Sequence, residues 1–188
     1  VKDGMRQQFA KLEERIKALI AGFERNQLIR EGMLVTLAGK PNVGKSSLFN
    51  ALLERDRALV SDLPHTTRDP LEEELEIRGF YVRLRDTAGL IAAADHPLDK
   101  MGMERSLEAL RESHLVLFLL DSHAPLEDAD RHVFGLIPKN KKIIVLTNKS
   151  DLPLKIKDRE IKALCGDLPV IAISAKTRTG FHELENRI

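Results

Sequence analysis

The stretch Gly39-Lys40-Pro41-Asn42-Val43-Gly44-Lys45-Ser46 fits the pattern G-x-x-x-x-G-K-[ST], and it decides how the rest of the chain is read. An apolar run, Met33-Leu34-Val35-Thr36-Leu37-Ala38, precedes it. A helix-like run, Ser47-Leu48-Phe49-Asn50-Ala51-Leu52-Leu53, follows it. Strand, glycine-containing loop and helix in that order make a cradle for phosphate. The glycines let successive backbone N–H groups turn inward, and the helix amino terminus adds its dipole. Lys45 is spaced to reach β- and γ-phosphates, and the Ser46 hydroxyl to ligate Mg²⁺. Average residue usage gives the bare pattern in roughly one per cent of chains of this length. The flanking strand and helix make chance a poorer account still.

From Met33 onward, strand and helix signals alternate, as in an α/β fold. The first strand is expected near Leu34–Ala38. Glu74–Ile77 and Tyr81–Arg85 flank Arg78-Gly79 and read as a hairpin. Val116–Leu120, Ile143–Leu146 and Val170–Ile173 are continuously apolar, the mark of central strands covered on both faces. Helical patterns fall near Ser46–Leu53, Gly102–Ser113, Asp128–Leu136, Arg159–Leu164 and Phe181–Ile188. The expected architecture is a largely parallel six-stranded sheet with helices on both faces, the fold of a P-loop nucleotide-binding domain. Before it, Met5, Phe9, Leu12, Ile16, Leu19 and Phe23 alternate at spacings of 4 and 3 and form one helical stripe. Such a lone amphipathic helix needs a partner: either the domain that follows or a helical domain mostly absent from this chain.

Ligands of such folds sit at the carboxyl ends of the strands. Three polar motifs fall there. Asp86-Thr87-Ala88-Gly89 follows the second hairpin strand; its Asp suits Mg²⁺, held directly or through water, and its Gly a γ-phosphate contact. Asn148-Lys149-Ser150-Asp151 follows the Ile143–Leu146 strand. A carboxylate there can accept hydrogen bonds from N1–H and N2–H₂ of guanine, and adenine would leave it unpaired. Ser174-Ala175-Lys176 follows the last strand, where small residues let a backbone N–H reach the guanine O6. Between cradle and hairpin lies Thr66-Thr67-Arg68-Asp69, in which a threonine can close over Mg²⁺ and the γ-phosphate. The Gln that many GTPases carry directly after D-x-x-G is Leu90 here, which cannot orient water. For Arg68, an ion pair with the adjacent Asp69 is the simpler reading than an arginine finger.

The chain as a whole is nearly neutral. Its 30 Lys and Arg and 29 Asp and Glu leave a net charge of +1 over 188 residues, so no global basicity announces nucleic-acid binding. Cys165 is the only cysteine, which excludes an intrachain disulfide and fits a reducing, cytoplasmic setting. The longest apolar run, Leu115–Leu120, is far short of the ~18 residues of a membrane span. The first residues lack a signal-peptide pattern. The chain begins at Val1 and ends within a helical pattern at Ile188, and it reads as part of a larger protein. The histidines show no metal-ligand spacing and read as surface or loop residues.

In order and spacing, these elements resemble the translation-factor-like class of P-loop GTPases over roughly residues 33–188. Within that class the chain is similar to the MnmE (TrmE) family of tRNA-modification GTPases. The residues that carry the similarity are Gln27-Leu28-Ile29-Arg30-Glu31-Gly32, the phosphate loop, Thr66–Asp69, Asp86–Leu90 and Asp99-Lys100-Met101-Gly102-Met103-Glu104-Arg105-Ser106. The resemblance implies a GTP-binding domain, 32–188, inserted in a helical domain of which 1–31 is one helix. It implies a GTP site made of Asn42, Val43, Gly44, Lys45, Ser46, Ser47, Ser61, Asp62, Leu63, Pro64, His65, Thr66, Thr67, Asp86, Thr87, Ala88, Gly89, Asn148, Lys149, Asp151, Ser174, Ala175 and Lys176. Mg²⁺ would be held by Ser46, Thr67 and Asp86, and K⁺ by Asn42, Ser61, Leu63 and Thr66. The implied catalytic residues are Lys45 and Asp99. Asp99 stands where the family carries Glu, and His65 where it usually carries Gly. The implied partners are GTP and GDP, a second copy meeting this one through the switch regions, an FAD-dependent tRNA-modification protein and tRNA. A Der- or Era-like switch in ribosome assembly is the alternative, and a membrane is not among the expected partners.

Overall fold

The structure is a computed structural model that describes residues 11–16, 31–59, 72–86 and 97–188, with the side chains of 56–59 and 97–102 excepted. Helical residues 11–16 belong to α1. The elements that follow are β1 (Met33–Ala38), α2 (Lys45–Leu59), β2 (Glu72–Ile77), β3 (Phe80–Asp86), α3 (Pro97–Glu112), β4 (Leu115–Asp121), α4 (Asp128–Leu136), β5 (Lys142–Asn148), α5 (Asp158–Cys165), β6 (Val170–Ala172) and α6 (Phe181–Arg187). The six strands form one sheet in the order β2-β3-β1-β4-β5-β6. All neighbours pair in parallel except β2 with β3. The expected α/β architecture is therefore present, with its hairpin turning at Arg78-Gly79, both of positive φ.

The central strand β4 shows why a continuous apolar run was needed. Leu115, Leu117 and Leu119 face one side, where they join Leu48, Leu52, Phe181 and Leu184. Val116, Phe118 and Leu120 face the other, where they join Leu110, Val133, Ile161 and Cys165. A strand alternates its side chains across the sheet, so burial on both faces requires apolar residues at every position. Truncating Leu117, which is fully buried, to Ala would cost about 2–5 kcal/mol. The edge strand β2 differs. Leu75 and Ile77 are buried while Glu74 and Glu76 are exposed, and charge on an edge discourages pairing with another sheet. Glu72 faces Arg85 across the hairpin and pairs with it, and Arg85 also reaches Glu112 of α3 at 2.8 Å.

Several boundaries differ from expectation by one or more residues, among them those of α2, α3 and β6. Helix α2 runs on to Leu59, because Glu54, Arg55 and their neighbours are good helix formers although the apolar pattern has ended. Helix α3 begins at Pro97, before the expected Gly102; proline is favoured in a first turn, where its missing N–H has no helical partner to lose. Strand β6 ends at Ala172, although Ile173 N–H still donates to Thr147 O at 3.0 Å. Of the amphipathic stripe, Leu12 and Ile16 are 55% and 49% exposed. Met5, Phe9, Leu19 and Phe23 lie outside the described residues. Cys165 is buried at the end of α5, where burial pushes its thiol up to about 11.

Register brings the functional edge together. Leu37 of β1 is level with Asp86 of β3, Ala38 with Phe118 of β4, and Asp121 of β4 with Asn148 of β5. The carboxyl ends of β1, β3, β4 and β5 thus share one rim of the sheet. The chain leaves β1 toward β3 on one side and returns to β4 on the other. Such a switch point opens a crevice for ligands.

One histidine is more than a surface residue. His114, on the exposed surface, accepts a hydrogen bond on Nδ1 from Leu34 N–H at 2.9 Å, and its own N–H donates to Leu34 O at 2.9 Å. It thereby pins the start of β1 to the start of β4. Desolvation, then the charges of Arg83 and Lys141, hold its pKa below 6.5 against an opposing pull from Glu31. Between that lowered value and about 6.5 the unfolded chain binds a proton that the folded chain does not, so stability falls as pH falls through this window. We expect the urea midpoint to drop between pH 7.5 and pH 5.5, and to drop less in His114→Asn, which keeps an acceptor but cannot titrate. An equal drop in both proteins would contradict this reading.

Candidate nucleotide site

The phosphate loop is shaped by what passes behind it. Gly39 has φ 152°, and a Cβ there would stand 2.6 Å from the Leu119 carbonyl of β4. Gly44 has φ 99°, and a Cβ there would overlap the side-chain amide of Asn148. Both glycines are therefore required by close approach as well as by backbone conformation. Val43 between them is fully buried and pegs the loop into the core, while Asn42 (φ 64°) and Ser47 are exposed on its surface.

Lys45, at the start of α2, is 6% exposed. Its ammonium donates to Gly39 O at 2.8 Å and Lys40 O at 2.9 Å, so it lies back along the loop that it follows. Desolvation lowers its pKa, and the negative charge of Asp86 partly offsets this. The next residue, Ser46, donates its hydroxyl to Asp86 Oδ2 at 3.0 Å. The loop and the end of β3 thus present a hydroxyl and a carboxylate side by side. These are hard oxygen donors that suit Mg²⁺, which is usually held by one or two carboxylates together with phosphate oxygens. Among the described residues, there is no group of three or more His, Cys, Asp or Glu that could hold a metal ion by itself.

The second half of the site lies beyond β5. Asn148 is 2% exposed and its amide works in two directions. Nδ2 donates to Val43 O of the phosphate loop at 2.8 Å, and Oδ1 accepts from Ala175 N–H at 3.0 Å. The buried amide therefore ties the phosphate loop to the Ser174-Ala175-Lys176 loop. Asp151 is exposed, with Oδ1 taking a 2.6 Å hydrogen bond from Ser174 Oγ. That bond, helped by the nearby Lys176 charge, holds its carboxyl below the usual range against some desolvation, so it stays ionised at neutral pH. Ser174 is fully buried, and its Oγ also accepts from Thr177 N–H at 3.1 Å, which fixes the hydroxyl toward Asp151.

The structure thus brings Lys45, Ser46 and Asp86 together at one end and Asn148, Asp151, Ser174 and Ala175 at the other. Ser61, Asp62, Leu63, Pro64, His65, Thr66, Thr67, Arg68, Asp69, Thr87, Ala88, Gly89 and Leu90 lie outside the described residues. Asp99 falls in the first turn of α3, and its side chain is likewise outside them.

Two partners went unread in the sequence. Asp121, at the end of β4, accepts from Lys149 Nζ at 2.5 Å and from His123 N–H at 2.8 Å. It thereby holds a lysine whose φ is 67°. Its place at a strand's carboxyl end was the available signal. Lys40, inside the phosphate loop, donates to Glu127 Oε2 and Asp130 Oδ2 at 2.9 Å each, at the start of α4. Burial opposes its charge, but these two carboxylates outweigh it and raise its pKa. Nothing local in the sequence marks a pair 90 residues apart. A cavity between α2 and β2, lined by Leu52, Arg55, Leu75 and Ile77, includes none of these residues.

A family model described as "MMR_HSR1: 50S ribosome-binding GTPase" matches residues 34–149, more than half of the chain. The protein named tRNA modification GTPase MnmE from Thermoanaerobacter sp. is 45% identical over 175 residues, covering 93% of this chain and 38% of that protein. Those from Thermotoga maritima and Staphylococcus epidermidis are 42% and 39% identical, covering 95% and 99% of this chain and 39% and 40% of those proteins. The chain therefore spans about two fifths of the length of the curated relatives it matches. Among solved structures, Aquifex aeolicus Era bound to GDP·AlF4⁻ superposes with a TM-score of 0.66 at 29% identity, covering 82% of this chain and 55% of that one. The G domain of the Thermotoga maritima FeoB iron transporter gives 0.60 at 29% identity, covering 82% and 95%. With its phosphate loop, its largely parallel sheet and the family-model match, the chain belongs to the GTPase family of that model, has the fold of a P-loop GTPase G domain, and is similar over nearly all its length to MnmE proteins.

Proposed function

We propose that this protein hydrolyses GTP to GDP and phosphate in the service of tRNA modification, as the GTP-binding part (32–188) of a larger protein to whose helical domain 1–31 belongs. The observation that carries this reading is the joining of the phosphate loop to the Ser174-Ala175-Lys176 loop through Asn148, beside the Asp151 carboxylate, in a chain 39–45% identical to MnmE proteins over nearly all its length. Lys45, whose ammonium rests on two loop carbonyls, would donate N–H hydrogen bonds to the β- and γ-phosphates, since an ammonium has three donors. Ser46, Asp86 and Thr67 would hold Mg²⁺, which would offset charge developing on the phosphates. Asp151 would take the two guanine N–H groups, and the backbone N–H of Ala175 its O6. Ser61 to Thr67 and Thr87 to Gly89 would close over the γ-phosphate.

With Leu90 in place of glutamine, water must be oriented otherwise. We assign that role to Asp99. The positive charge that an arginine finger would bring is assigned to K⁺, held by Asn42, Ser61, Leu63 and Thr66 when two copies meet through these loops. Asn42 is suited to this: it is exposed on the crown of the loop, in a left-handed conformation that asparagine tolerates. The wider partners in this reading are a FAD-dependent modification protein and tRNA, in the cytoplasm. Among the described residues no helix is long and apolar enough to cross a membrane. The alternative of an Era-like ribosome-assembly switch draws on a shared fold at 29% identity, below the 39–45% to MnmE.

GTP turnover should rise when Na⁺ is replaced by K⁺, and Asn42→Ala should abolish the rise while leaving GDP affinity within about twofold, since Asn42 serves the cation rather than the base. Equal wild-type turnover in both salts would contradict the potassium assignment. Asp151→Asn replaces an acceptor by an amide and should weaken GDP binding about a hundredfold or more while improving binding of xanthosine diphosphate. Unchanged GDP affinity would show the base pocket to be misassigned.

A further inference from the structure

Lys40 occupies one of the four free positions of the phosphate-loop pattern, yet its side chain is 13% exposed and paired with two carboxylates at the amino end of α4. Its main partner, Asp130, is 2% exposed. One carboxylate oxygen, Oδ2, accepts from both Lys40 Nζ and Glu127 N–H, at 2.9 Å each, and the other, Oδ1, is buried without a hydrogen-bond partner. Lys40 therefore brings the positive charge that a nearly buried carboxylate requires, and neither group can relax into water without opening the contact. The backbone of the same residue has a second task. Its carbonyl, with that of Gly39, receives the Lys45 ammonium. One residue is thus clamped to α4 by its side chain and orients the phosphate-loop lysine by its carbonyl.

We propose that Lys40, held by Asp130 and Glu127, is a positioning residue for binding the terminal phosphates of the nucleotide, because it fixes the peptide that aims Lys45. The proposal rests on the assignment of Lys45 to the β- and γ-phosphates. A clamp that merely kept α4 in place would affect the whole nucleotide alike. A clamp that aims Lys45 acts on the β-phosphate, which GDP has and GMP lacks.

The test compares GDP and GMP affinity, by competition with a fluorescent guanine nucleotide, in the wild type, Lys45→Ala, Lys40→Met, Lys40→Arg and Asp130→Asn. Thermal unfolding is recorded alongside. Lys40→Met should weaken GDP about tenfold while changing GMP by less than about twofold, the size expected for misaligning one charge-assisted hydrogen bond. Lys40→Arg, which keeps the charge and can pair with the same carboxylates, should restore most of the GDP affinity. Asp130→Asn, nearly isosteric, should reproduce Lys40→Met, and the double variant should be little worse than either, as two groups acting through one contact require. The ³¹P resonance of the β-phosphate in bound GDP should move in Lys40→Met and return in Lys40→Arg. Equal loss for GDP and GMP, or no loss, would overturn the proposal. A wild-type preference for GDP that survives Lys45→Ala would instead overturn the assignment of Lys45, so the two failures are distinguishable.

Discussion

The side-chain amide of Asn148 is the contact on which the site depends. It is buried at the end of β5, where one nitrogen reaches the phosphate loop and one oxygen reaches the loop after β6. A buried amide must satisfy both ends, and here each end has a backbone partner in a different segment. Removing it would strand the Val43 carbonyl and the Ala175 N–H, at about 1–3 kcal/mol each. It also dictates a residue elsewhere: the amide passes so close to Gly44 that no side chain fits there. The second glycine of the loop is thus required by the Asn148 contact as much as by its own positive φ.

Around this tie the other contacts divide into two groups. Ser46 with Asp86 joins the loop to β3, and Lys40 with Asp130 joins it to α4. Lys149 with Asp121 joins the base side to β4, and Ser174 with Asp151 joins it to the loop after β6. Each of these holds a polar group at the carboxyl rim of a parallel sheet whose register sets the spacing. The sheet is rigid because its central strands are apolar on both faces. The rim can therefore carry strained and charged residues, such as Lys149 at φ 67°, without loss of the fold.

Much of this was legible in the sequence. The phosphate loop, the apolar central strands and the hairpin at Arg78-Gly79 are local signals, with periodicity or turn chemistry confined to a few residues. Asn148 and Ser174 were recognisable because they stand at or just after the ends of apolar strands, which places them at the rim. What escaped reading depends on tertiary proximity. The Lys40–Asp130 pair spans 90 residues, and the His114–Leu34 contact spans 80. Neither carries a pattern that spacing could reveal. The ends of α2 and α3 were misplaced for a different reason: polar helix formers and an opening proline extend a helix beyond its apolar stripe.

The central claim is that the phosphate loop and the Ser174-Ala175-Lys176 loop form one unit through Asn148, and amide hydrogen exchange in Asn148→Ala tests it most directly. The account predicts that protection falls together in residues 39–47 and 174–176, while the buried strand β4 keeps its wild-type protection as a sign that the fold is intact. Faster exchange in one of those two loops alone, with β4 unchanged, would contradict it.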